Sequence, residues 1–294
     1  MTVMVTGASG VVGRAVVKAL LARDEVRATV RRPEAAEPLR ALGAKVSIRA
    51  IDVQDALAEV LPRCHTLVHL VGGPNQPDPD ELFRANHGSV LVALGAAKTS
   101  GVERFVLVSI PGADPEATHP FLRAKGLAEE AVRTSGLPHA ILRTAHVYGL
   151  GGLWFTAAVE GAVSDPPFVA GPGTHGIAPV LADDLGAVVA AIDDAAEAME
   201  GTWGLEGPDA LSADAFCRLL RGDDVPPTHA DGQAAAATLT ALLGVKVDAV
   251  AASFLGLPSR ADAPSAADGF GVATTPLLEG LRVTLEAAAL LDSR

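Results

Sequence analysis

The chain has 294 residues, 49% hydrophobic and 20% charged, with a formal net charge of −12. It is long enough for one large α/β unit with a modest extra lobe, and apolar enough to fill a sizeable core. The excess of acid, with no run of Lys or Arg, argues against nucleic-acid binding, and the two cysteines, Cys64 and Cys217, supply neither a disulfide framework nor a metal-ligand spacing.

The first element starts at once. Thr2-Val3-Met4-Val5 reads as a short apolar strand running into Thr6-Gly7-Ala8-Ser9-Gly10-Val11-Val12-Gly13. A helix follows, with Val12, Val16, Val17, Leu20 and Leu21 on one face. Strand, glycine turn and helix are how a parallel α/β sheet opens a dinucleotide site. Gly7 allows the tight turn, Gly10 lets a pyrophosphate approach the backbone, and Gly13 brings the helix onto the strand. Ser9, Val11 and Val12 present backbone to the phosphates at the positive end of the helix. With a first strand this early no cleaved signal is expected, and no apolar stretch reaches the ~20 residues of a membrane helix. A cytoplasmic, reducing setting is expected, with no metal.

Val26 to Val30 reads as the second strand, followed by Arg31-Arg32-Pro33. Enzymes that take NAD usually carry an acid there for the ribose hydroxyls. Guanidinium groups instead match a 2′-phosphate, so Arg31 and Arg32 point to NADP(H), with Arg31 the better placed. The competing reading is a pair of surface arginines at a helix start. A helix is expected over 34–42, a strand over 45–49, a short helix over 55–61 and a strand over 66–71 ending in Gly72-Gly73. A long helix over 80–99, a strand over 104–109, a helix over 117–135 and a strand over 139–142 complete the alternation. Near-continuous apolar strands alternating with helices imply a parallel sheet covered on both faces, with ligand at the carboxyl ends of the strands. His69, inside an apolar strand, reads as a core histidine.

Beyond Gly149 the pattern loosens. Short strands are expected over 176–180 and 201–205, helices over 183–198 and 212–221, and loops over 149–152 and 166–173. From about Gly222 the chain is Ala-rich, helical and broken by prolines. The expected fold class is therefore a Rossmann-type, doubly wound α/β sheet with a smaller C-terminal lobe. Residues 1–150 form the cofactor-binding core. Residues 151–294 form a lobe over the strand ends that partly returns to the sheet within a single integrated domain. Leu153, Trp154 and Phe155 would wall an apolar pocket, or simply pack.

The glycine turn, with Thr6 before it and Gly-x-x-Gly-x-x-Gly spacing, resembles the short-chain dehydrogenase/reductase superfamily. Phe121 to Gly149, with Lys125, Ala128-Glu129, Ser135-Gly136-Leu137-Pro138, Leu142-Arg143 and Val147-Tyr148-Gly149, resembles its atypical branch. That branch includes NmrA-like proteins and the NADPH-binding accessory subunit of respiratory complex I. Gly204 to Pro208 and Thr274 to Leu277 look similar too, and the likeness covers roughly residues 1 to 210. It implies adenine contact from Asp52-Val53, with a helix cap as the alternative for Asp52. It also implies adenosine and pyrophosphate contact from the backbone of Val71, Gly72 and Gly73.

Family members with the full catalytic set carry a Ser after the fifth strand and Tyr-x-x-x-Lys on the next helix, and that spacing puts Tyr and Lys on one face. Here Ser109 and Lys125 are present, but Phe121 holds the tyrosine position, and Phe cannot donate a proton. Lys125 either anchors the ribose or, if burial lowers its pKa, acts itself. His146 and Tyr148, the only tyrosine, are the remaining candidate donors. Branch members include cofactor sensors and reductases of quinones or azo compounds. A quinone acceptor suits the missing acid, because its hydride adduct is a stabilised phenolate-type anion. The expected function is an NADPH-dependent reductase of a quinone-like or aromatic carbonyl small molecule, acting as a monomer or homodimer. The alternatives are a non-catalytic NADP(H) sensor and a non-redox tailoring enzyme using the same cleft.

Overall fold

A computed structural model describes residues 1–49, 53–195 and 200–292. Its strands are β1 (Thr2–Thr6), β2 (Glu25–Val30), β3 (Lys45–Ile48), β4 (Thr66–His69), β5 (Arg104–Ser109), β6 (His139–Thr144), β7 (Val147–Tyr148), β8 (Phe168–Ala170), β9 (Gly176–Ile177), β10 (Val180–Leu181), β11 (Gly201–Leu205), β12 (Leu211–Ser212) and β13 (Thr228–Ala230). Seven of them build one parallel sheet in the order β11-β6-β5-β4-β1-β2-β3. The chain winds outward from β1 through β2 to β3, then returns to β4 on the other side of β1 and continues outward. The reversal between β1 and β4 is the point where such a sheet opens a crevice.

Helices α1 (Val11–Leu20), α2 (Ala36–Leu42) and α8 (Ala182–Asp194) cover one face; α3 (Gln54–Ala58), α5 (Ser89–Ser100) and α6 (Pro120–Arg133) cover the other. Alternation along β1 serves both layers. Val3 and Val5 pack with Val16, Val17, Leu185 and Val188, while Met4 packs with Leu67, Leu94, Phe105 and Val132. Each large apolar side chain so buried contributes ~1.5–3 kcal/mol.

The helix expected over 80–99 is interrupted. Helix α4 (Pro79–Phe83) passes through one wide turn, Arg84–Gly88, before α5 begins. The wide turn places Asn86 inward, where its amide Nδ2 donates to the carbonyls of Leu82 at 2.9 Å and Gly73 at 3.0 Å. A tertiary demand thus overrides helical regularity. The strand expected over 66–71 ends at His69, and the strand expected over 176–180 is two short pieces, β9 and β10.

The later chain builds a layer over the carboxyl ends of the strands. Helix α7 (Leu153–Val163) packs on α9 (Ala213–Arg221) and α10 (Gly232–Leu243), and α11 (Ala249–Leu255) packs on α10. Strand β8, within a stretch expected to be loop, pairs parallel with β13, within a stretch expected to be helical. Strand β11 leaves this layer to flank β6 in the main sheet. Helices α12 (Ala266–Gly269) and α13 (Leu277–Asp292) close the described chain.

Helix α6 is fixed to the sheet by charge. Glu129, fully buried, accepts from Arg143 Nε at 2.9 Å, Arg143 Nη2 at 2.8 Å and Arg133 Nη2 at 2.5 Å. Arg143 also donates to the Ala113 carbonyl and to Asp262. Removing the shared carboxylate strands two guanidinium groups, one of them largely buried, so Glu129→Ala should cost about 3 kcal/mol of unfolding free energy in denaturant titration.

Candidate functional site

A groove of about 350 Å³ lies at the carboxyl ends of β1, β2 and β4. The glycine turn forms one wall, Thr29, Val30 and Arg31 a second, and Leu70, Val71 and Gly72 a third. Gly7 holds φ +75°, and a Cβ there would sit 2.7 Å from the Leu70 carbonyl carbon. A Cβ on Gly13 would sit 2.5 Å from the Ala8 backbone. These two glycines are demanded by the fold itself. Gly10 is different: a Cβ there meets nothing within 4 Å. The free space at Gly10 lies on the groove, beside the start of α1, and this cradle fits a pyrophosphate at a helix N-terminus.

Arg31 is exposed at the groove and makes no ion pair among the described residues, whereas Arg32 lies 3.5 Å from Glu34. Thr29 Oγ1 is buried at the same wall without a hydrogen-bond partner. Asp52 lies outside the described residues. Val53 is exposed at the start of α3 and is not among the groove-lining residues.

Two residues that escaped the sequence reading shape this groove. Asn86 Oδ1 accepts from the Gly73 amide at 2.8 Å while its Nδ2 donates to the Gly73 carbonyl, so one buried amide holds both sides of the loop after β4. Arg14 donates to the Ser9 carbonyl at 2.6 Å and to the Leu150 carbonyl at 3.2 Å, bracing the glycine turn against the loop after β7. An Asn in a continuous helical pattern gives no local sign of either bond, and Arg14 reads as a surface charge.

The sheet carries the next group one strand along. Lys125, 5% exposed on α6, donates from Nζ to the Val108 carbonyl at 2.8 Å near the end of β5. Burial pulls its pKa down to about 8, against an opposing pull from Glu129. Ser109 closes β5 with its Oγ buried and unpartnered. Phe121 stands one helical turn before Lys125, and its ring meets Phe254 of α11 edge-on at 4.8 Å.

From Phe254 a line of rings continues. His146 meets Phe254 at 5.5 Å and stacks on Trp154 at 4.7 Å; Trp154 in turn stacks on Phe216 at 5.2 Å. His146 is buried with Nε2 unpartnered, and burial followed by neighbouring His175 lowers its pKa to about 3. The structure thus brings Phe121 and His146 together around one ring, Phe254, that sequence reading did not single out. Tyr148 is placed elsewhere. It is fully buried among Phe155, Ile177, Leu277 and Leu281, tight against Gly280, and burial raises the pKa of its unpartnered hydroxyl.

His69 is buried in β4, bridging Thr6 Oγ1 at 2.9 Å and Ser89 Oγ at 3.1 Å. Burial, and then the charge of Lys125, lowers its pKa from 6.5 to about 3.

Comparison with known proteins gives a concordant picture. A protein-family model described as NAD(P)H-binding matches residues 7–149. The chain is 37% identical over 111 residues to a 4-hydroxy-2-methyl-3-oxo-4-farnesyl-3,4-dihydroquinoline-1-oxide ketoreductase of Stigmatella aurantiaca, covering 37% of this chain and 33% of that one. It is 29% identical over 181 residues to the mitochondrial NADH dehydrogenase [ubiquinone] 1 alpha subcomplex subunit 9 of Arabidopsis thaliana, covering 57% and 42% of the two chains. The chain therefore spans only about a third to two fifths of these curated relatives. In fold it matches UDP-glucuronic acid 4-epimerase from Bacillus cereus, in complex with UDP-glucuronic acid and NAD, with TM-score 0.75, 18% identity and coverage of 99% and 100%. No helix among the described residues is long and apolar enough to cross a membrane.

The neutral burial of His69 has a consequence for acid stability. Its folded pKa lies below its ordinary value, so the unfolded chain binds the extra proton first and stability is lost as pH falls below 6.5. Between that pH and about 3 the loss is ~1.4 kcal/mol per pH unit for this group. Denaturant titrations at pH 7 and pH 5 should show His69→Asn losing about 2 kcal/mol less than the native chain over that interval.

Proposed function

The chain belongs to the atypical short-chain dehydrogenase/reductases, and on that premise we propose that it is an NADPH-dependent reductase of a quinone-like or aromatic carbonyl compound, working without a tyrosine acid. The observation that carries this reading is the state of the catalytic helix. Lys125 and Ser109 stand together at the end of β5, while the position one turn earlier holds Phe121 among aromatic rings.

In this reading the backbone of Gly7, Ser9, Gly10, Val11, Val12 and Gly13 cradles the pyrophosphate. Arg31 meets the 2′-phosphate, with Arg32 at the rim, and Val71, Gly72 and Gly73 back the adenosine side. NADPH, when bound, supplies a hydride. The chain's own groups do the rest. Lys125 holds the ribose hydroxyls with the protons of Nζ that Val108 does not engage, and its pKa of about 8 keeps a transferable proton there near neutral pH. Ser109 Oγ has no partner to give up before it donates to the acceptor oxygen.

A simple ketone becomes an alkoxide on reduction and needs a positioned acid, worth ~10²–10⁴ in rate. A quinone or conjugated aromatic ketone yields a delocalised anion, which lowers that requirement. His146, neutral and facing Phe254, supplies a ring wall rather than a charge. That a relative is named a ketoreductase of a dihydroquinoline oxide agrees with this substrate class. Residues 151–294 act as the substrate lobe in this scheme. A cytoplasmic setting is part of the proposal, supported by two buried free cysteines.

One observation favours a second reading. Phe254 packs directly on Phe121, over the wall an acceptor would face, as expected for a protein that binds NADP(H) and signals through its surface without turnover.

Anaerobic NADPH oxidation against a panel of quinones and aromatic ketones separates the two. The reductase reading expects NADPH loss matched by reduced product; binding of NADPH without loss across the panel would overturn it. Independently, Arg31→Ala should raise the NADPH dissociation constant about tenfold, the value of one charge-assisted contact. Its NADH constant should stay within about twofold, and equal weakening of both would remove Arg31 from the 2′-phosphate.

A further inference from the structure

A second cavity, about 50 Å³, lies inside the C-terminal layer, apart from the dinucleotide groove. Trp154, Phe168, Phe216, Leu239, Leu255 and His175 are among the residues that line it. Trp154 and Phe216 are also the last two rings of the line that begins at Phe121, and Leu255 follows Phe254 directly in α11. The cavity therefore shares Trp154 and Phe216 with the line of rings that begins at the catalytic helix.

Its chemistry is narrow. No Lys, Arg, Asp or Glu lines it. The two titratable side chains present, His175 and Cys217, are both held toward their uncharged forms by burial. A phosphate, carboxylate or sugar nucleotide would find no counter-charge there and would lose its hydration. His175 is 8% exposed and its Nδ1 has no hydrogen-bond partner. An apolar wall with one unsatisfied imidazole suits a neutral group of low polarity. The size narrows the group further. An apolar cavity of roughly 150 Å³ accepts benzene, and this one has about a third of that room, enough for a short alkyl chain but not for a ring.

We propose that this cavity is the seat of a short, uncharged alkyl arm of the acceptor, so that the preferred substrate is an alkyl-substituted neutral aromatic carbonyl compound or quinone rather than a phosphate ester or sugar nucleotide. This rests on the reductase reading. The acceptor ring lies along Phe254 and His146 with its reacting carbonyl toward Phe121 and Lys125, and the arm enters the cavity beside Trp154. His175 marks the cavity's polar edge.

The test compares 1,4-naphthoquinone with 2-propyl-1,4-naphthoquinone as acceptors. Each buried methylene is worth about fourfold, so the native chain should favour the propyl compound at least tenfold in kcat/KM. Filling the cavity with Ala158→Leu, or with Ala213→Leu from another wall, should collapse that ratio toward one. A native ratio near one, or a ratio that survives in both folded variants, would overturn the proposal. Calorimetry with phenol and 4-propylphenol keeps the test separate from turnover. If no quinone is reduced, tighter binding of 4-propylphenol that vanishes in Ala158→Leu still supports the subsite while the reductase reading falls. Equal binding of the two phenols would remove the subsite.

Discussion

The contact on which the site depends is backbone against backbone. With no Cβ at Gly7, the exit of β1 lies directly against the Leu70 carbonyl at the end of β4. The two strands meet where the winding of the sheet reverses, and the groove opens between them. Neither strand could exit at this spacing with any other residue at that position. The loop that follows β4 then has one course available, along the groove wall through Val71 and Gly72. Asn86 fixes its next residue, Gly73, from both sides. The helical irregularity at Arg84–Gly88 accompanies that fixation.

From that loop the order propagates outward. Asn75 accepts from the Asp248 amide at 3.0 Å and donates to the Lys246 carbonyl at 2.9 Å, and the Gln76 amide donates to Asp248 at 3.0 Å. Asp248 is also the cap of α11, accepting from Ala251. The helix that brings Phe254 onto Phe121 is therefore pinned at its start to the segment that walls the groove. Its other end is held by Ser253 against His119, the cap of α6. Groove and cleft share their fastenings, which is how a fold of two layers keeps two distant stretches of chain in register.

What was legible in the sequence follows from how local each requirement is. The glycine turn answers to a few adjacent backbone contacts, so its spacing alone announced it. Lys125 and Phe121 share a helix face because four residues make about one turn. The alternation of strands and helices gave the sheet and its expected direction. The rest depends on partners far along the chain. Asn86 looks like an ordinary helix residue until Gly73 is beside it. The pairing of β8 with β13, and the arrival of Phe254 at Phe121, join segments whose local patterns name no partner. Tyr148 shows the converse. As the only tyrosine it drew notice by chemistry, but its surroundings are set by Leu277, Leu281 and Gly280 of α13, which no local pattern connects to it.

The carboxylate of Glu129 carries a consequence for how the two halves can diverge. By joining α6 to β6 through Arg143, and onward to Asp262, it makes the wall bearing Lys125 part of the rigid sheet. The α10–α11 hairpin is fastened instead to the loop after β4 through Lys246 and Asp248, and it meets α6 through Phe254 and Ser253. The wall bearing Lys125 and the helix bearing Phe254 thus have separate anchors. Exchanging residues 232–255 while keeping Lys246 and Asp248, which hold Asn75 and Gln76, would therefore change the rings that face Phe121 and leave the glycine turn and the loop after β4 as they are.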